Sequence, residues 1–124
     1  MKKIVYVVSL MLLCGLVFTA RPVLAEDGDP LKMAPGIYSL LMENDNVRVC
    51  DIKMKSGEKI GMHSHPHHML YILSPGKIKL SYADGTSKVI DGQPGQVLWS
   101  EAESHMSENV GDTEVHAIIV ELKK

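Results

Sequence analysis

The sequence predicts a single all-β domain, a small barrel or sandwich, and three observations carry that prediction. Turn-forming clusters recur at strand-length intervals: Asn44-Asp45-Asn46, Ser56-Gly57, Ser74-Pro75-Gly76, Asp84-Gly85, Asp91-Gly92-Gln93-Pro94-Gly95 and Gly111-Asp112. Between them lie short β-branched or alternating runs, over 47–54, 69–73, 77–82, 88–90, 96–100 and 114–122. No segment sustains a 3.6-residue apolar stripe over ten or more residues. Many short strands in so short a chain suggest two packed sheets or one closed sheet.

The amino-terminal segment stands apart from that domain. Lys2 and Lys3 precede an uncharged, apolar run from Ile4 to Ala20, and Val23-Leu24-Ala25 supplies suitable residues before a cleavage point. Residues 1–25 therefore read as a Sec-type signal peptide cut after Ala25, with a retained membrane anchor as the alternative. The expected destination is the periplasm or the exterior, with no membrane attachment after cleavage. Residues 26–36 carry Asp27-Gly28-Asp29-Pro30 and Ala34-Pro35-Gly36 and read as a flexible lead-in. The folded domain is expected over 37–124.

Composition narrows the functional classes. The full chain has 124 residues and a net charge of −2, and removal of the leader takes away three cations, leaving the remainder at −5. Four aromatics survive cleavage, Tyr38, Tyr71, Tyr82 and Trp99. An acidic chain with so little stacking surface is not expected to bind nucleic acid. Of two cysteines only Cys50 remains after cleavage, so no intrachain disulfide can form. In the strand-like run Val47–Met54, Cys50 reads as a small buried residue rather than a reactive thiol.

The histidines carry the chemistry. Four of six fall in His63-Ser64-His65-Pro66-His67-His68, and His105 follows a second turn-rich stretch. His63 and His65, two apart, project from one face of a strand. Pro66 favours extended backbone at His65 and ends the strand after it. Imidazoles so placed reach one ion at about 2.0–2.1 Å, and this pairing outweighs a surface cluster or buried structural histidines.

Gly57, five residues, His63-Ser64-His65, then Tyr71-Ile72-Leu73 and Gly76 resemble the first motif of the cupins. Gly95, a short strand, His105, three residues and Asn109 resemble the second, with Asn109-Val110-Gly111-Asp112 as its turn. The resemblance covers about residues 37–122. It implies a single-domain jelly-roll β-barrel holding a divalent transition metal (Zn, Mn, Fe, Ni or Cu), with His63, His65 and His105 as ligands. It also implies dioxygenase or isomerase chemistry on a small molecule. A non-catalytic metal- or small-ligand-binding module is the alternative, and no catalytic residue is assigned.

The chain departs from the pattern where the first motif carries a Glu: no carboxylate lies between His65 and Tyr71. In the motif that Glu stands three residues before the strand's aromatic, and counting back from Tyr71 reaches His68. His68, Leu70 and Ile72 share one face of the strand, so His68 is expected to point inward as fourth ligand. The alternative places it with His67 on a solvent-facing turn. Four neutral ligands would leave the full charge of the ion on the site and favour an anionic or oxygen-rich ligand. Glu101 and Glu103 stand where the second motif usually has Pro and Gly, and read as solvated loop carboxylates. Met62, Met69 and Met106 neighbour proposed ligands but turn away by alternation. His116 is expected at an edge of the barrel, and Trp99 and Tyr82 in the core. Because ordinary histidine titrates near pH 6.5, metal affinity is expected to fall below about pH 6. A homodimer is expected through Leu31–Leu41, whose Leu31, Met33, Ile37, Leu40 and Leu41 would add to a partner's sheet edge.

Overall fold

The computed structural model describes residues 28–124; the expected leader over 1–25 lies outside them. Nine strands form two antiparallel sheets packed face to face. The strands are β1 (Tyr38–Glu43), β2 (Val47–Met54), β3 (Lys59–His65), β4 (His68–Ile72), β5 (Gly76–Ser81), β6 (Ser87–Gly92), β7 (Val97–Ser100), β8 (Glu103–Asn109) and β9 (Val115–Leu122). One sheet has the order β1-β2-β9-β4-β7 and the other β3-β8-β5-β6. This is the all-β jelly roll expected, with the two sheets separate rather than joined in one closed ring of hydrogen bonds. Among the described residues no helix is long and apolar enough to cross a membrane.

Strand alternation builds the space between the sheets. Along β9 every second residue, from Val115 through Ala117 and Ile119 to Glu121, is buried. Cys50, Ile52 and Met54 of β2 and Ile60 of β3 complete that interior with Tyr38. Cys50 is buried in apolar surroundings, and burial pushes its thiol up to about 11, which agrees with an inert packing role.

Two joints fix the register. Between Ile60 and His63 the β3–β8 pairing shifts, so that Gly61 and Met62 form a bulge. At the far end of β8, the buried Asn109 side chain donates to the carbonyls of Met54 and Thr113, at 2.8 Å each, and accepts from the Gly111 amide at 3.0 Å. Asn109 thus ties β8 to β2 and holds the turn that leads into β9.

The lead-in is folded where its composition suggests flexibility. Asp29 caps a single helical turn, α1 (Pro30–Met33), and Pro30 is buried. Leu31 and Ile37 pack against the chain's own core. The turn is held because Asp29 also pairs with Arg48 of β2 at 2.9 Å. Within Leu31–Leu41, only Leu40 and Leu41 of β1 and Met33 stand exposed among its large apolar residues.

Candidate metal centre

His63 and His65 enter from β3, and His105 enters from β8 directly opposite His63. The bulge before His63 sets the phase in which both β3 histidines face inward, while Ser64 between them bonds the Ser104 hydroxyl on the other face. All three rings are buried, and their ligand nitrogens lie within 4.8 Å of one another. His68 arrives from the opposite sheet and is buried too. Its ring centre lies 4.9 Å from that of His65, outside the close trio but beside it. Leu70 and Ile72 line the same interior cavity as His68, whereas Tyr71 and Leu73 are exposed. The strand register therefore places His68 as the alternation requires.

The hydrogen bonds fix the chemistry of three rings. His63 Nδ1 bonds the Gly61 carbonyl and His68 Nδ1 the Pro66 carbonyl, both at 2.8 Å. A carbonyl only accepts, so Nδ1 carries the proton and Nε2 keeps its lone pair in the neutral ring. His65 Nδ1 likewise meets the Glu121 carboxylate at 2.6 Å. His63 Nε2 is buried without any partner, a costly state for a polar atom unless something else coordinates it. His105 Nδ1 is buried and unpartnered as well.

Burial favours the neutral form that ligation needs in His63, His68 and His105. His63 is lowered to about 4 by burial, and His105 to about 3 by burial together with the neighbouring histidines. His68 is lowered for the same first reason. For these three rings burial disfavours the cation, so each resists protonation below the range of solvent-exposed histidine.

Glu121 was not legible as a site residue, and it places a buried carboxylate behind His65. It stands on β9, paired in register with His68 on one side and Arg48 on the other. Its side chain is only 2% exposed and bridges His65 Nδ1 and Arg48 Nε, each at 2.6 Å. Burial alone would raise its pKa, but the bonds from His65 and Arg48 outweigh that and hold it below the usual carboxylate range. A metal-binding histidine oriented by such a carboxylate is a recurrent arrangement. The available signal was the alternation of β9, which puts Glu121 on the face of Ile119.

Several expectations need correction. Glu103 is not a solvated loop residue: it begins β8, one carboxylate oxygen is buried without a partner, and it lies 3.3 Å from His105 Nδ1. Tyr82 donates to its other oxygen at 3.3 Å and so flanks the site rather than the core. Glu101 is exposed as expected, pairing with His67 at 2.7 Å and accepting from Trp99 at 2.9 Å. Trp99 is not in the core: it alternates onto the outer face of β7 and is exposed. His116 lies on β9, between β2 and β4, not at an edge, and bonds Asp51 at 2.6 Å. Met62 and Met106 turn away from the histidines to solvent.

The cavity beside the histidines is small and apolar, about 90 Å³, and Leu70, Leu80 and Ile119 are among its walls. A dry cavity of 150 Å³ accommodates benzene, so this one admits only a smaller group.

The fold is that of cupin, or double-stranded β-helix, structures, and it holds three clustered interior histidines. Among solved structures, a cupin domain from Bordetella pertussis is similar at 23% identity and a TM-score of 0.65, over 71% of this chain and 93% of that one. A protein with a double-stranded β-helix domain from Klebsiella pneumoniae has 19% identity and a TM-score of 0.59, over 70% and 76% of the two chains. An RmlC-like cupin family protein from Methanocaldococcus jannaschii has 17% identity and a TM-score of 0.57, over 69% and 78%. No protein-family model and no curated protein matches the chain.

Proposed function

We propose that this is an exported protein that binds one divalent transition metal through His63, His65 and His105, with His68 as the fourth ligand. The observation that carries this reading is the buried, partnerless Nε2 of His63, set among the clustered ligand nitrogens of His65 and His105. Fixed Nδ1 protons on His63, His65 and His68 leave three Nε2 lone pairs for coordination. Glu121 orients His65 and brings a negative charge near the ion, while Arg48 shares that charge. The export reading rests on the leader pattern over 1–25.

A second reading, metal-dependent turnover of a small molecule, is favoured by Glu103. A bound ion would supply Lewis acidity or redox chemistry there. Glu103 presents a buried, partnerless carboxylate oxygen beside His105, within reach of a proton on a small ligand. A dioxygenase or isomerase would use it so, whereas a binding module would not need it.

The test is metal stoichiometry. Protein recovered from its own compartment should hold close to one transition-metal ion per chain by elemental analysis. His63→Ala should lose it, with the circular dichroism of the fold retained. Stoichiometric protein without metal uptake from Zn²⁺, Mn²⁺, Fe²⁺, Ni²⁺ or Cu²⁺ would overturn the reading. Turnover of a simple diketone or thiol that disappears in Glu103→Gln, with metal content unchanged, would decide for the enzyme.

A further inference from the structure

β3 and β8 turn imidazoles inward, and what they turn outward at the same level is also unusual. Elsewhere the outer side of the four-stranded sheet is charged. Lys59, Glu108 and Lys79 line up across β3, β8 and β5, and Lys77 faces Asp91 across β5 and β6. That is the usual wet face of an antiparallel sheet. The row at the β3 bulge breaks the pattern.

That row is made of methionine. Ile60 pairs with Ser107 and His63 with His105, so Gly61 and Met62 together stand opposite Met106. Ile60 and His63 are buried while Gly61 and Met62 are exposed, so both bulged residues face outward. Side chains opposed in this way start about 4.5–5.5 Å apart at Cβ. A third thioether comes from outside the sheet. The helical turn α1 rests on β3, and Met33 Cε lies 3.7 Å from the point where a Cβ on Gly61 would stand. Met33, Met62 and Met106 are 42%, 39% and 43% exposed. Core packing does not account for them, because packing would bury side chains this flexible, and single surface methionines do not gather in threes on a charged face.

We propose that Met33, Met62 and Met106 form a second metal site, for the soft monovalent cation Cu(I), on the outside of the sheet whose inner side carries His63 and His105. Thioether sulfur is neutral and polarisable, and it selects Cu(I) over the harder divalent ions that carboxylate and water ligands suit. The three ligands converge from α1, β3 and β8. Each is unbranched with several rotatable bonds, so the sulfurs can close on one ion while the backbone stays in place. The borders of the row tolerate a cation. On one side the Lys59 ammonium is compensated by Glu108 at 3.1 Å. On the other, the Ser64 and Ser104 hydroxyls bond each other at 2.7 Å. Because the sulfurs stand in water, the site suits loading and release of the ion rather than permanent retention. The inference does not depend on the interior histidines holding a metal.

Nuclear magnetic resonance of methyl-labelled methionine, with Ag(I) as a redox-inert probe for Cu(I), tests this. The methyl signals of Met33, Met62 and Met106 should shift together and saturate together, in the wild-type protein and in His63→Ala alike. The signal of Met42, exposed on β1, should stay in place. Anaerobic competition with a chromophoric Cu(I) chelator, run in His63→Ala, gives the affinity. There Met62→Leu and Met106→Leu should each weaken Cu(I) binding about tenfold or more, each removing one of three soft ligands. Met42→Leu should change nothing. Leucine keeps the volume of methionine at these exposed positions, so the fold is retained, and circular dichroism checks it. Signals of the three methyls that ignore excess Ag(I), or that move at different concentrations, overturn the proposal. So does a Cu(I) affinity untouched when Met62→Leu and Met106→Leu are combined. Shifts that vanish in folded His63→Ala overturn it too, by making the sulfurs mere reporters of an interior ion.

Discussion

The space between the sheets has two ends, built from the same strands and opposite in character. At one end Ile52, Ala117 and Ile72 sit in a single apolar row across β2, β9 and β4. At the other end the corresponding row is Arg48, Glu121, His68 and Ser100. Moving four residues along three strands turns an oily core into a network of titratable groups. The difference teaches how a small domain divides labour. The apolar end contributes stability through burial, so the polar end can keep Nε2 atoms unpartnered that would otherwise be a net cost.

The largest contrast should come from one substitution at each end. Ile119→Ala, in the apolar interior, should cost about 2–5 kcal/mol in chemical denaturation and leave metal affinity in the folded protein close to wild type. Glu121→Gln, nearly isosteric, should lower metal affinity about 10–100-fold in competition with a chromophoric chelator. Equal losses of affinity for both variants would erase the distinction between the two ends.

A sharper cut lies within the histidine-rich segment. His68→Ala should weaken metal binding, whereas His67→Ala, on an exposed side chain stacked on Trp99, should not. Calorimetric titration of both variants reads this directly. The reverse order would show that His68 is only a lining residue.

The smallest expected effect is on acid tolerance. His63 and His105 stay neutral in the folded state down to about 4 and about 3, while in the unfolded chain both take up protons near pH 6.5. A depressed histidine therefore adds nothing above about pH 6.5, and stability is lost as pH falls from there through about 4. Thermal melts of metal-free protein should show that decline. Ile119→Ala should melt lower but keep the same pH profile.

Legibility in the sequence followed the same division. β2 was read with its true bounds because apolar and β-branched residues fill Val47–Met54 between two turn signals. β8 was missing from the strand runs because its inward residues, Glu103, His105, Ser107 and Asn109, are all polar and invert the usual pattern. β1 was missed because the pairing shift between Leu40 and Met42 breaks alternation. The inward position of His68 followed from the strand period together with the cupin-like register counted back from Tyr71. Glu121 did not, since an acidic residue near the end of a chain reads as surface until its partners are known. Only the tertiary fold shows that Arg48 and His65, 73 and 56 residues away, converge on it.

The Asp29–Arg48 pair moves the boundary of the functional unit. Arg48 is largely buried and is neutralised by two carboxylates, Glu121 within the sheet and Asp29 from the helical turn that precedes it. A truncation beginning at Ile37 would keep every strand and every histidine. It would nonetheless strip one counter-ion from the guanidinium and expose the flank of β3 on which α1 rests. The remaining charge would draw Glu121 toward Arg48 and away from His65. An economical cut in the peptide chain would then be read out four side chains away, as a slackened imidazole.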